Sequence, residues 1–159
     1  MYLIERVKMS VFGERLEKKL AKEALDFLVL DDVEWDSKIV EEDVVGSEAH
    51  VIMLQERGII SENELEEILK ALEKVKTLNR EGRFKLDPEL EDVHLNIENF
   101  VIKEAGMDVG GKLHTGRSRN DQIILDLRLY LRKEINGIIS LLLKLIQTFL
   151  NLTEKHLHT

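Results

Sequence analysis

Two arginines flank a serine and lead into an asparagine in the run G-G-K-L-H-T-G-R-S-R-N-D-Q, from Gly110 to Gln122. Nowhere else in the 159 residues do three glycines, two arginines, a lysine and a histidine crowd together. An arginine fork grips a carboxylate or phosphate through two parallel hydrogen bonds, which fixes orientation as well as charge. Asn120 adds a donor and an acceptor. Ser118 or Asn120 can cap a helix running on through Ile123, Leu127, Tyr130 and Leu131, whose positive end and free amides would face the same anion. On chemistry alone Arg117, Ser118, Arg119 and Asn120 make an anion site. The plainer alternative, a capped helix with two solvated arginines, has a slight edge on these residues alone.

Other chemistries fail on particular positions. Gly106 to Leu113 nearly matches the phosphate-loop pattern G-x-x-x-x-G-K-[ST], but Leu113 stands where a metal-binding hydroxyl belongs. The segment before it also reads as helix rather than strand, which excludes the dinucleotide fingerprint too. The chain has no cysteine, so disulfides, zinc thiolate sites and thiol nucleophiles are absent. His94 falls on an apolar stripe with Leu90, Val93, Ile97 and Val101 and reads as a packed core histidine. Asp92, Asn96 and Glu98 project elsewhere and read as solvated. His50 reads as packed or partly exposed.

The elements that must position these residues are helical. Leu16, Leu20, Ala24 and Phe27 predict a helix over 14–28, followed by a break at Asp31-Asp32. Val40, Val44, Val51 and Leu54 predict a helix over 36–57, with Asp36 as N-cap and Gly58 just past its end. Gly46-Ser47 sits inside it, at a close helix contact or a ligand's approach to the backbone. Ser61 and Glu64 form a capping box ahead of the stripe Leu65, Ile68, Leu69, Leu72 and Val75. Gly82 closes that helix, Asp87-Pro88 opens the next, and Gly106 ends it. The last helix, 123–152, is about 45 Å long. Past Gly137 it is apolar on almost every side and needs neighbours all round. Its apolar part, Ile138 to Leu152, is shorter than the roughly 20 residues of a bilayer span and interrupted by Lys144, Gln147 and Asn151. It therefore reads as a buried helix of a soluble protein. Met1 to Ser10 carries Glu5, Arg6 and Lys8 and has no secretory pattern. A net charge of −8 and a Glu-rich second helix argue against nucleic acid and anionic membrane.

The whole pattern is similar to a known family. The run from Gly110 to Gln122, followed by Asp126-Leu-Arg-Leu-Tyr-Leu-Arg, closely resembles the argininosuccinate lyase/delta-crystallin family of the fumarase/aspartase superfamily. Glu91-Asp92-Val93-His94, Gly46 to His50 and Arg57 to Ser61 fit the same family, so the resemblance covers about residues 36–155. It implies an all-α fold: a small N-terminal helical domain, residues 1–113, then from 114–159 the first long helix of a central helical bundle. It implies cleavage of argininosuccinate to arginine and fumarate by β-elimination, with no metal or organic cofactor, in a cytoplasmic homotetramer whose active sites combine three subunits. Helix 123–152 would then join the remainder of the lyase or other subunits. The family's roles place Arg119 and Asn120 on the substrate, with Ser118 and Thr115 shaping the loop and His94 nearby. They leave no catalytic residue in this chain, because the family's Thr-His segment and mobile serine loop would lie beyond Thr159. Such a chain alone would lack turnover, as an N-terminal part or one half of a split enzyme. Asp32 departs from the pattern: it falls where the family has a substrate-binding serine, and a carboxylate there would repel a dicarboxylate. The resemblance also leaves open a structural protein akin to delta-crystallin, or a lyase for another succinyl substrate.

Overall fold

The computed structural model describes residues 33–158 together with Phe27 and Val29. The expected helix over 14–28, the break after it and Asp32 therefore lie outside the described residues, Phe27 apart. The described residues form no strand. Their helices are α1 (Val40–Glu56), α2 (Glu62–Arg80), α3 (Val93–Ala105), a short α4 (Met107–Gly110) and α5 (Arg119–Lys155), with a 3-10 turn at Pro88–Leu90 before α3.

α1 and α2 make a hairpin with both expected punctuation marks. Gly58 leaves α1 at φ +69°, where a side chain would be strained. Ser61 Oγ accepts the Glu64 amide at 3.3 Å while the Glu64 carboxylate accepts the Ser61 amide at 2.8 Å. The stripes then meet in one core: Val44, Val51 and Leu54 of α1, Ile68, Leu72 and Val75 of α2, and Val93, Ile97 and Val101 of α3. Burying such side chains is worth roughly 1.5–3 kcal/mol each before entropy is counted.

Two helix starts differ from expectation. α1 begins at Val40 with no side-chain cap; residues 33–36 are helical and are separated from it by a turn at Ser37-Lys38. The Asp36 carboxylate instead accepts the Val93 amide at 2.9 Å and so serves α3. Asp87-Pro88 opens only the 3-10 turn, where Asp87 accepts the Glu89 amide at 3.0 Å. The chain then turns through Glu91 at φ +69°, and α3 starts from Asp92, whose Oδ1 accepts the Leu95 amide at 2.7 Å. Asn96 fastens this corner by accepting the Asp87 amide at 2.7 Å and donating to the Asp87 carbonyl. Asn96 is therefore a buried bracket rather than a solvated side chain.

The glycine-rich approach to α5 is a packing device. A Cβ on Gly110 would lie 2.7 Å from Ile102 Cα and 2.8 Å from Ile102 N, both backbone atoms that cannot swing away. Lys112, which the phosphate-loop pattern would aim at a nucleotide, pairs with the capping-box residue Glu64. α5 itself spans 37 residues and starts at Arg119, a turn earlier than its apolar pattern indicates. Its first turns pack on α1, where Gly46 admits Leu125. The glycine-serine pair thus marks a close helix contact. From residue 131 to 158 every side chain is exposed, including Ile138, Leu142, Ile146 and Phe149. The helix is apolar all round, as expected, but it is not buried by the described residues. By length and composition it is also long and apolar enough to cross a membrane. The shortness of 138–152 therefore no longer excludes a span.

Gly110→Ala should lower stability by about 1–3 kcal/mol, because α4 and the segment leading to α5 must move off α3. A chemical-denaturation midpoint equal to that of the parent would show that the close contact does not matter.

Candidate functional site

Ser118 is the N-cap of α5, its Oγ accepting the Asn120 amide at 3.3 Å. Arg119 opens the helix and donates from Nη1 to Asp92 Oδ2, the oxygen left over from capping α3. Arg117 reaches the other way and donates from Nη1 to Ser47 Oγ on α1 at 2.9 Å. Neither arginine is simply solvated, and Asp92 is an ion-pair partner rather than a solvated carboxylate. Arg119 keeps 31% of its side-chain surface exposed, while Thr115, Ser118 and Asn120 are exposed. His50 Nε2 donates to the Thr115 carbonyl at 3.0 Å and so steadies the loop.

Beneath the loop lies a polar cluster that sequence reading did not anticipate. Asp43 of α1 is fully buried and takes donors from three helices. Its Oδ1 accepts from Ser47 Oγ at 3.0 Å, and its Oδ2 accepts from His94 Nδ1 and from Gln122 Nε2, the latter at 3.1 Å. Asp126, one turn beyond Gln122 on α5, is also fully buried; neither of its carboxyl oxygens has a hydrogen-bond partner, and Oδ2 lies 3.7 Å from His94 Nδ1. His94 is buried as expected, but its ring faces carboxylates rather than an apolar core. Glu98 is buried too, only 8% exposed, and not solvated. Asp43 and Ser47, and Gln122 and Asp126, are each four residues apart, so each pair lies on one helix face. A charged residue one position before Val44 on the buried side of α1 was the one available signal.

The electrostatics follow from this crowding. Burial opposes charge on His94, but the hydrogen bond to Asp43 and the charges of Asp43, Asp92 and Asp126 outweigh it and raise its pKa. Burial and the neighbouring Asp43 carboxylate push Asp126 up to about 7, against the pull of His94 and Arg117. Burial raises Glu98, offset in part by Arg119. His114 is lowered by burial and by the charges of Arg119, Arg117 and His94, and His50 by burial despite its backbone bond. Two neutral imidazoles therefore line the cationic side of the loop.

Asp43, His94 and Asp126 offer atom types that a divalent cation accepts, all within 4.8 Å of one another. Both Asp43 oxygens are already engaged, however, and positive charge beside the carboxylates comes from His94 and Arg117. The arrangement suits a buried charge network better than a metal cage. What faces solvent is the arginine fork with Ser118, Asn120 and Thr115, a surface suited to holding an anion. Arg119, Ser118 and Asn120 thus come together at one helix start, with His94 below and Asp92 between. Asp32 lies outside the described residues.

Between the ordinary carboxylate value of 3.8 and about 7, folded Asp126 holds a proton that the unfolded chain releases. Folding stability therefore falls as pH rises through that window, and raised His94 acts in the same direction, its contribution lost as pH rises through its folded value. Asp126→Asn should flatten this dependence and gain about 1–3 kcal/mol at pH 8 relative to the parent. Denaturation midpoints at pH 5 and pH 8 check it; a variant with the parent's pH slope would contradict the assignment.

The chain matches a protein-family model described as lyase over residues 30–159. It is similar to the argininosuccinate lyase of Carboxydothermus hydrogenoformans, 47% identical over 151 residues, covering 95% of this chain and 32% of that protein. Those of Heliobacterium mobile (44% identical) and Anoxybacillus flavithermus (43% identical) align over 94% of this chain and 32% of their own length. The chain thus spans about a third of the length of the curated relatives it matches. With most of its length inside the family match, and a helix-capping arginine loop set over a buried polar cluster, the chain belongs to the lyase family.

Proposed function

We propose that this chain is the substrate-anchoring N-terminal part of an argininosuccinate lyase, which cleaves argininosuccinate to arginine and fumarate by β-elimination in arginine biosynthesis. The observation that carries the proposal is Arg119 at the first position of α5, partly exposed beside exposed Ser118 and Asn120. A guanidinium and free amides at a positive helix end favour a dicarboxylate such as the succinyl moiety of the substrate. That the similar proteins are argininosuccinate lyases supports the choice of substrate and of lyase chemistry.

In this reading Arg119 and Asn120 bind the substrate, Ser118 and Thr115 shape the loop, and His94 acts from below through the buried cluster. Proton abstraction needs a base positioned within hydrogen-bond reach of the reacting carbon. Asp43 and His94 are buried and bonded to each other with Asp126 buried beside them, so in this reading the base comes from the two thirds of the lyase that this chain does not span. Residues 1–113 serve as the N-terminal helical domain and 114–159 as the start of the central bundle. The exposed apolar surface of α5 is covered by the remainder of the lyase and by other subunits, in a cytoplasmic homotetramer.

In the complete assembled protein, Arg119→Gln should lower kcat/KM for argininosuccinate on the order of a hundredfold, read from fumarate absorbance. Unchanged kinetics would remove the anchoring role, and intact assembly of the unsubstituted protein without fumarate release would favour a structural protein. The 159-residue chain alone should self-associate through α5. A stable monomer in light scattering at high concentration would contradict that.

A further inference from the structure

We infer that Asp92 is a positioning residue that aims Arg119 at the substrate, an inference resting on the anchoring role just proposed. Asp92 divides its carboxylate between two tasks. Oδ1 accepts the Leu95 amide and caps α3, while Oδ2 receives Arg119 Nη1 from the start of α5, 27 residues further along the chain. Capping alone would not require an aspartate, because serine and asparagine cap about as well. The second bond is what only a carboxylate side chain can supply fully to a guanidinium.

A carboxylate beside a substrate-binding arginine should weaken its pull on an anion. Here the positive end of α3 and the Leu95 amide already offset part of the Asp92 charge, so Arg119 keeps an effective positive charge. Arg119 uses Nη1 for Asp92 and keeps 31% of its side-chain surface exposed to meet a ligand. The orientation of Asp92 is itself fixed. Glu91 at φ +69° turns the chain into the cap, the Asn96 side chain donates to the Asp92 carbonyl at 2.8 Å, and Asp36 takes the Val93 amide. Asp36 thereby leaves Oδ2 of Asp92 free to serve Arg119. Buried Glu98 lies near enough to feel the charges of both Arg119 and Asp92. The guanidinium is thus held by Asp92 and remains partly open to solvent.

Three variants of the complete assembled protein separate aiming from capping. Asp92→Ser keeps a good cap but cannot reach Arg119, Asp92→Asn keeps the cap on its one oxygen but turns an amide nitrogen, a donor, toward Arg119, and Arg119→Gln removes the anchor. Asp92→Ser should raise KM for argininosuccinate roughly tenfold or more while kcat changes less and the melting temperature stays near the parent's. Asp92→Asn should raise KM at least as much, because a donor then faces the guanidinium, and Asp92→Ser should add little in the Arg119→Gln background. A parental KM in Asp92→Ser, with KM raised in Arg119→Gln, would reduce Asp92 to a helix cap. Parental kinetics in Arg119→Gln would instead overturn the anchoring role itself. If Asp92→Ser fails to assemble, Asp92→Asn decides on the same readout, and a parental KM there overturns the inference.

Discussion

A fully buried carboxylate, Asp43, sets the terms for everything around it. An ionised carboxylate taken out of water costs several kcal/mol unless its lone pairs are occupied. Asp43 meets that demand with Ser47 on its own helix, His94 on α3 and Gln122 on α5. Hydrophobic contacts among α1, α2 and α3 would tolerate some sliding. Three directed bonds on one carboxylate do not. The cluster thus adds less to net stability than to the uniqueness of the arrangement, for which buried polar groups are best suited.

The consequence reaches the surface through short links. Ser47 donates a hydrogen bond to Asp43 and accepts one from Arg117, so the loop ahead of α5 is tied to the same carboxylate. Gly46 lets Leu125 approach α1, and Gly110 lets α4 lie against the Ile102 backbone. Lys112 then holds the glycine-rich segment to Glu64 at the start of α2. Between these fixings Arg119, Ser118 and Asn120 face outward at a positive helix end. A binding surface built on a helix start over a rigid polar base loses little entropy when it meets a ligand. The apolar far half of α5 has the opposite character, with its surface exposed among the described residues.

Much of this was legible from residue order. The stripes of α1, α2 and α3, the Ser61 capping box, the turns at Gly58, Gly82 and Gly106, and the capped start of α5 depend on neighbours a few residues away. What escaped depends on partners far apart in sequence. Gln122 is 79 residues from Asp43, His94 is 51 from it, and Arg119 is 27 from Asp92. Asp92, Asn96 and Glu98 look solvated on a helical wheel because they lie off the apolar stripe, yet the α3 corner and α5 cover them. Asp36 looks like the cap of the helix that follows it and instead caps one 57 residues later. Polar residues choose among partners by geometry that only the assembled fold provides. The family resemblance marked the arginine loop but not the cluster that holds it.

The central claim is that Asp43 and its donors form a charged, bonded base for the arginine loop. The imidazole nitrogens of His94, followed by nitrogen NMR across a pH titration, test this most directly. The account predicts an imidazolium that persists above the ordinary histidine value of 6.5, with Nδ1 bonded to Asp43. A His94 ring already neutral at pH 6, or one freely exchanging tautomers, would contradict it.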